Sequence, residues 1–110
     1  MYGRTKLRQD LITQARKIFK NNLKTGYAKW KNTPYRFIAP SNVEYTYQFF
    51  WDTAFHTIVL SHFDVEWAKR EILSLLKGQW KNGKIPHVIF WGNELFIKNL
   101  TFFVPVTVLY

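Results

Sequence analysis

The chain has 110 residues, 47% hydrophobic and 19% aromatic, which suits one domain with a modest core and excludes intrinsic disorder. It has no cysteine, so disulfides, thiolate catalysis and cysteine-based zinc sites are excluded. Its net charge of +9 sits at one end: residues 1–36 carry ten basic residues against Asp10, whereas residues 37–110 balance six against six. No nucleic-acid reading motif accompanies this basic arm, so it is expected to be a solvated helix face. No run of about 18 apolar residues exists to span a membrane, and the first ten residues lack the apolar core of a secretory signal. A cytoplasmic protein is expected.

In chain order, residues 6–23 predict an amphipathic helix. Leu7, Leu11, Ala15, Ile18 and Phe19 recur at helical spacing, Thr5 is the expected N-cap, and Asn21, Asn22 and Gly26 supply stop signals. Residues 24–46 read as irregular, because Gly26, Pro34, Pro40, Ser41 and Asn42 interrupt any period, with a turn expected at Pro40-Ser41-Asn42. A second helix is expected from Trp51 or Asp52, burying Phe55, Ile58, Val59 and His62.

The third helix has the clearest signals. Asp64 caps it, Glu66 favours its positive end, and Gly78 or Asn82-Gly83 ends it. Its expected buried face is Val65, Ala68, Ile72, Leu75, Leu76 and Gln79, which leaves Glu66 and Glu71 on the solvated side. Helices two and three, only a few residues apart, should form an antiparallel hairpin. Pro86 forbids a helix interior in residues 85–91, so that stretch is expected to be extended. Residues 95–110 are apolar and β-prone up to the last residue, which suggests a truncation at 110 or burial by chain not present here.

The stretch richest in chemistry is 45–56, Y-T-Y-Q-F-F-W-D-T-A-F-H, with six aromatics around Asp52. Rings offer flat apolar platforms to the C–H face of a sugar, and a carboxylate beside them accepts its hydroxyls. The competing reading is that these aromatics are core. At the start of a helix Asp52 would be favoured in its charged form, which makes it an acceptor rather than a proton donor. His56 is expected in the core or one turn from Asp52 as its partner. No metal or other cofactor is expected, since His56, His62 and His87 do not stand at ligand-pair spacings.

Three pieces in order, Y-Q-F-F-W-D-T-A-F-H (47–56), H-F-D-V-E-W-A-K-R-E-I-L-S-L-L-K-G-Q-W (62–80) and N-G-K-I-P-H-V-I-F-W (82–91), resemble the N-terminal region of glycoside hydrolases of family 63 and the related mannosylglycerate or glucosylglycerate hydrolases. The resemblance implies an all-α fold, a partial (α/α)6 toroid of helical hairpins, with residues 1–110 as a single N-terminal fragment. It implies an α-glycosidase acting on glucosyl or mannosyl conjugates or oligosaccharides. By the same resemblance Tyr47, Trp51, Asp52, Gln79 and His87 line the sugar-binding end, with a carbohydrate as substrate and the remainder of the glycosidase domain as partner. Hydrolysis needs an acid and a base or nucleophile flanking the scissile bond. In the resembled enzymes these lie further along the chain, so no catalytic residue is assigned and the chain alone is expected to be inactive. The alternatives are a small basic nucleic-acid-binding protein, with Trp30 and Tyr35 as stacking groups, and a helical protein-interaction module.

Overall fold

The computed structural model describes residues 3–92; Met1, Tyr2 and the apolar stretch 95–110 lie outside them. The elements in order are α1 (Arg4–Asn21), β1 (Leu23–Ala28), β2 (Thr33–Ile38), β3 (Gln48–Phe49), α2 (Phe50–Ser61), α3 (Val65–Lys77) and β4 (Val88–Ile89). The all-α expectation is therefore wrong: the described residues form a mixed α/β arrangement of three helices and two antiparallel two-stranded sheets.

The correction falls mainly on residues 24–46. Instead of an irregular loop, β1 and β2 form a hairpin in register from Leu23 opposite Ile38 to Ala28 opposite Thr33. Asn32, at φ 52°, takes the left-handed conformation that closes its turn. Gly26 does not break β1; it faces Tyr35 across the ladder, and a Cβ there would collide with the Tyr35 ring. Pro34 is tolerated near the start of its strand in a two-stranded sheet, which has only edges. The turn expected after Pro40 is present, with the Ser41 hydroxyl oxygen accepting from the N–H groups of Val43 and Glu44 at 3.2 and 3.3 Å.

Strand β2 divides the core. Successive side chains leave a strand on opposite faces. Phe37 accordingly joins Ala28, Ala39, Leu75, Ile89 and Trp91, while Ile38 joins Phe19, Leu60, Trp67 and Ala68. A carboxylate on α3 ties these layers to the strand: the buried Glu71 accepts from the Ile38 N–H at 3.0 and 3.3 Å. Glu71 was expected on a solvated face. It is 2% exposed, and it supplies an acceptor that the edge of β2 otherwise lacks.

The expected helix faces need correction too. On α2 the buried residues are Thr53 and Leu60, whereas Phe55, Ile58 and Val59 are exposed. On α3, Ala68 and Leu75 are buried as expected and Ile72 is half-buried, but Val65, Leu76 and Gln79 are exposed and Trp67, Glu71 and Ser74 take their place. Helix α1 starts at Arg4, capped by Gly3 rather than Thr5, and buries Phe19 while Leu7, Leu11 and Ile18 face solvent. Its basic residues are not all solvated. Arg16 pairs with Asp64 at 3.2 Å and lies over the Phe63 ring, and Arg8 donates to the His62 carbonyl at 2.9 Å. The expectations for α3 as an element stand: Asp64 Oδ1 caps it by accepting from the Trp67 N–H at 3.2 Å, and Gly78 closes it.

Candidate functional site

Strand β4 gathers the site. Its pairing sets Gln48 opposite Ile89 and Phe49 opposite Val88. The residues just beyond the ladder then meet at its two ends. Tyr47 presents its ring edge-on to Phe90, with centroids 4.6 Å apart, and the Phe50 N–H donates to the His87 carbonyl at 2.8 Å. That second bond satisfies one of the free N–H groups at the start of α2 and fixes where the helix begins. Trp51 and Asp52 follow directly in its first turn. Helix α3 arrives from the other side, packed so closely that a Cβ on Gly78 would meet the Ile89 side chain, and this brings Gln79 to the same strand.

The five residues expected at a sugar site are thus grouped around β4 at one end of the α2–α3 hairpin, in different local settings. Trp51 is 63% exposed and stacks on Phe55 with centroids 6.3 Å apart. Asp52 is half-buried at the positive end of α2, and its carboxylate has no hydrogen bond or ion pair with another described residue. Gln79 is exposed and donates Nε2–H to the Gly83 carbonyl at 2.8 Å, which leaves its amide oxygen to accept. His87 is exposed, and Tyr47 is half-buried. An open aromatic face, a free carboxylate and a free amide oxygen suit a polyhydroxylated ligand.

His56 does not partner Asp52. It is half-buried against Phe19 (centroids 5.1 Å) with Nδ1 3.5 Å from Glu71 Oε2, an approach that lacks hydrogen-bond geometry. Of the carboxylates that α2 and α3 carry or are capped by, Asp52 stands at the β4 end. Asp64 and Glu66 occupy the opposite end of α3, and Glu71 is committed to Ile38. Among the described residues no cluster of three or more metal-ligating side chains occurs, and no helix is long and apolar enough to cross a membrane.

Beneath this end lies a feature that the sequence did not announce. The group is braced by Gln48, which is fully buried: its Oε1 accepts from Trp91 Nε1–H at 2.6 Å and Ser74 Oγ–H at 3.4 Å, and its Nε2–H donates to Thr53 Oγ1 at 3.2 Å. Against β4 opens a cavity of about 590 Å³, walled by Trp30, Trp80, Phe90, Ile89, Val88 and Pro86 over Gly78. Of the five expected residues, Gln79 alone lines it. Its walls come from residues 30–31 and from 78–90, which the fold brings together, so no single local pattern marks it; the nearest signal was the exposed-type aromatic Trp30 in a polar turn.

Aromatic platforms beside free hydrogen-bonding groups suit a polyhydroxylated ligand, and comparison with known proteins gives the family. The family described as the mannosylglycerate hydrolase MGH1-like glycoside hydrolase domain matches residues 45–107, and the chain belongs to it. Similar proteins include mannosylglycerate hydrolase MGH1 of Selaginella moellendorffii, 29% identical over 86 residues, which are 78% of this chain and 16% of that one. Glucosylglycerate hydrolase of Mycolicibacterium hassiacum is 46% identical over 46 residues, 42% of this chain and 10% of its own. Mannosylglycerate hydrolase of Thermus thermophilus is 36% identical over 61 residues, 54% of this chain and 15% of its own. The chain therefore spans about a sixth or less of the length of these relatives. No solved structure matches it.

Proposed function

We propose that this chain is the N-terminal, sugar-binding part of an α-glycosidase acting on glucosyl or mannosyl conjugates, with the catalytic acid and base supplied by chain beyond it. The observation that carries the proposal is the family match over 45–107 combined with the grouping of Tyr47, Trp51, Asp52, Gln79 and His87 around β4. In this reading Trp51 offers its open face to the C–H side of a hexose. Asp52 accepts from two of its hydroxyls, Gln79 accepts from a third, and Tyr47 and His87 shape the rim. Asp52 is assigned to binding because its carboxylate, without a partner among the described residues, is open to accept from ligand hydroxyls.

The test is a titration of the isotope-labelled chain with mannosylglycerate and with glucosylglycerate, followed by amide and indole resonances. Shifts at Trp51 and Asp52 are expected, with affinity in the millimolar range typical of a partial pocket, and Asp52→Ala should abolish them while the spectrum stays dispersed. Neither sugar shifting those resonances, or equal binding by Asp52→Ala, would refute the assignment.

A further inference from the structure

We propose that the cavity behind β4 is a second binding site, for a small organic anion with a flat apolar body such as an aryl carboxylate. It adjoins the sugar end, with Gln79 at the border of the two, and does not depend on the hydrolase reading. Pro86, both residues of β4 (Val88 and Ile89) and Phe90 after it line the cavity, while His87 is exposed and gives its carbonyl to the start of α2.

Size and lining select the ligand. About 590 Å³ lies in the range of small-molecule sites. Trp30 is fixed before any ligand arrives: its Nε1–H donates to the Trp91 carbonyl at 2.9 Å and its ring stacks on Trp91 with centroids 5.5 Å apart, yet it remains 41% exposed. A pre-ordered ring face costs little entropy to use. Trp80, 37% exposed, sits on a tight turn closed by the Trp80 N–H to Lys84 carbonyl bond at 2.7 Å and the Gly83 N–H to Trp80 carbonyl bond at 2.8 Å.

The polar groups decide against a neutral sugar. Gln79 Nε2–H is taken by Gly83, and Asn82 Oδ1 accepts from the Lys84 N–H at 3.0 Å. The Gln79 amide oxygen and the Asn82 amide nitrogen remain, too few for the full hydroxyl array of a sugar, and burying hydroxyls without partners is unfavourable. What remains is positive. Lys31 and Lys81 line the cavity from two different turns, and neither ammonium has a partner among the described residues. Apolar walls with two free cations fit an apolar body carrying one negative charge.

The test compares 2-naphthoate with neutral 2-naphthalenemethanol on the 110-residue chain, read by the indole N–H resonances of Trp30 and Trp80. Naphthoate should shift both indoles and leave Trp51 unmoved. It should bind about tenfold tighter than the alcohol at low salt, with the advantage shrinking as salt is raised. In the double variant Lys31→Gln/Lys81→Gln the two ligands should bind alike. Equal affinity of acid and alcohol for the unaltered chain, an advantage indifferent to salt, or shifts centred on Trp51 would each overturn the proposal without recourse to any variant.

Discussion

Replacing Glu71 by Ala is the most direct test of how α3 holds the hairpin and the helices together. The carboxylate is 2% exposed, accepts from the Ile38 N–H at 3.0 and 3.3 Å, and stands 3.5 Å from His56 Nδ1. Alanine would leave the Ile38 N–H buried without an acceptor, which costs about 1–3 kcal/mol, and would open a void between β2, α2 and α3. A total of about 3 kcal/mol is expected, a large share of the stability of a small domain. Glu71→Gln should cost only about 1 kcal/mol: its amide oxygen still accepts from Ile38, and its NH2 can donate to His56 Nδ1, which has no hydrogen-bond partner. Glu66→Ala serves as the control, because Glu66 is exposed and merely faces Lys69 at 3.4 Å. Urea unfolding followed by tryptophan fluorescence reads all three, and 3 kcal/mol corresponds to a midpoint shift of about 1–3 M. An alanine variant within 0.5 kcal/mol of the parent, or one indistinguishable from the glutamine variant, would refute the role assigned to Glu71.

Two further substitutions probe the bracing of the site. Gln48→Leu keeps the bulk but leaves Trp91 Nε1–H and Ser74 Oγ–H without their acceptor, and should cost about 2–3 kcal/mol in the same unfolding assay while displacing the Trp91 indole resonance. Asp64→Ala removes both the α3 cap to Trp67 and the partner of Arg16, and should cost about 1–2 kcal/mol in thermal unfolding, with Asp64→Asn recovering most of the capping share.

Where local chemistry decided the structure, the sequence was legible. Asp64 and Gly78 bracket α3 because a cap and a stop act on the residues beside them. The antiparallel hairpin of β1 and β2 escaped for two physical reasons. Gly26 and Pro34 look like breakers, but in a two-stranded ladder one makes room for Tyr35 and the other gives up a hydrogen bond at an edge. The end of β2 is also buried on both faces, Phe37 in one cluster and Ile38 in the other, which cuts short the alternation that runs from Thr33 to Arg36. Strands β3 and β4 have two residues each, too few to carry a period. The aromatic Trp51-Asp52 pair could be found because it opens a helix, but the cavity walls could not, since Trp30, Trp80 and Phe90 meet only through the fold.

The misjudged face of α2 carries the more general point. The expectation turned Phe55, Ile58 and Val59 inward because they are the apolar residues at helical spacing. Hydrophobicity, however, constrains what is buried less tightly than it constrains what cannot be. The inward positions are instead set by partners: Thr53 is taken by the Gln48 amide, Leu60 by the cluster around Phe19 and Trp67, and His56 by its place between Phe19 and Glu71. These contacts fix the rotation of α2, and the Phe50 to His87 bond fixes its starting point. With both set by buried groups, Trp51 and Phe55 are carried to the outer surface as a stacked pair, and the position of Trp51 depends on no contact that a ligand would have to displace. The same rotation sets Asp52 in the first turn beside it, so the geometry on which sugar binding is proposed to rest is determined from inside the fold.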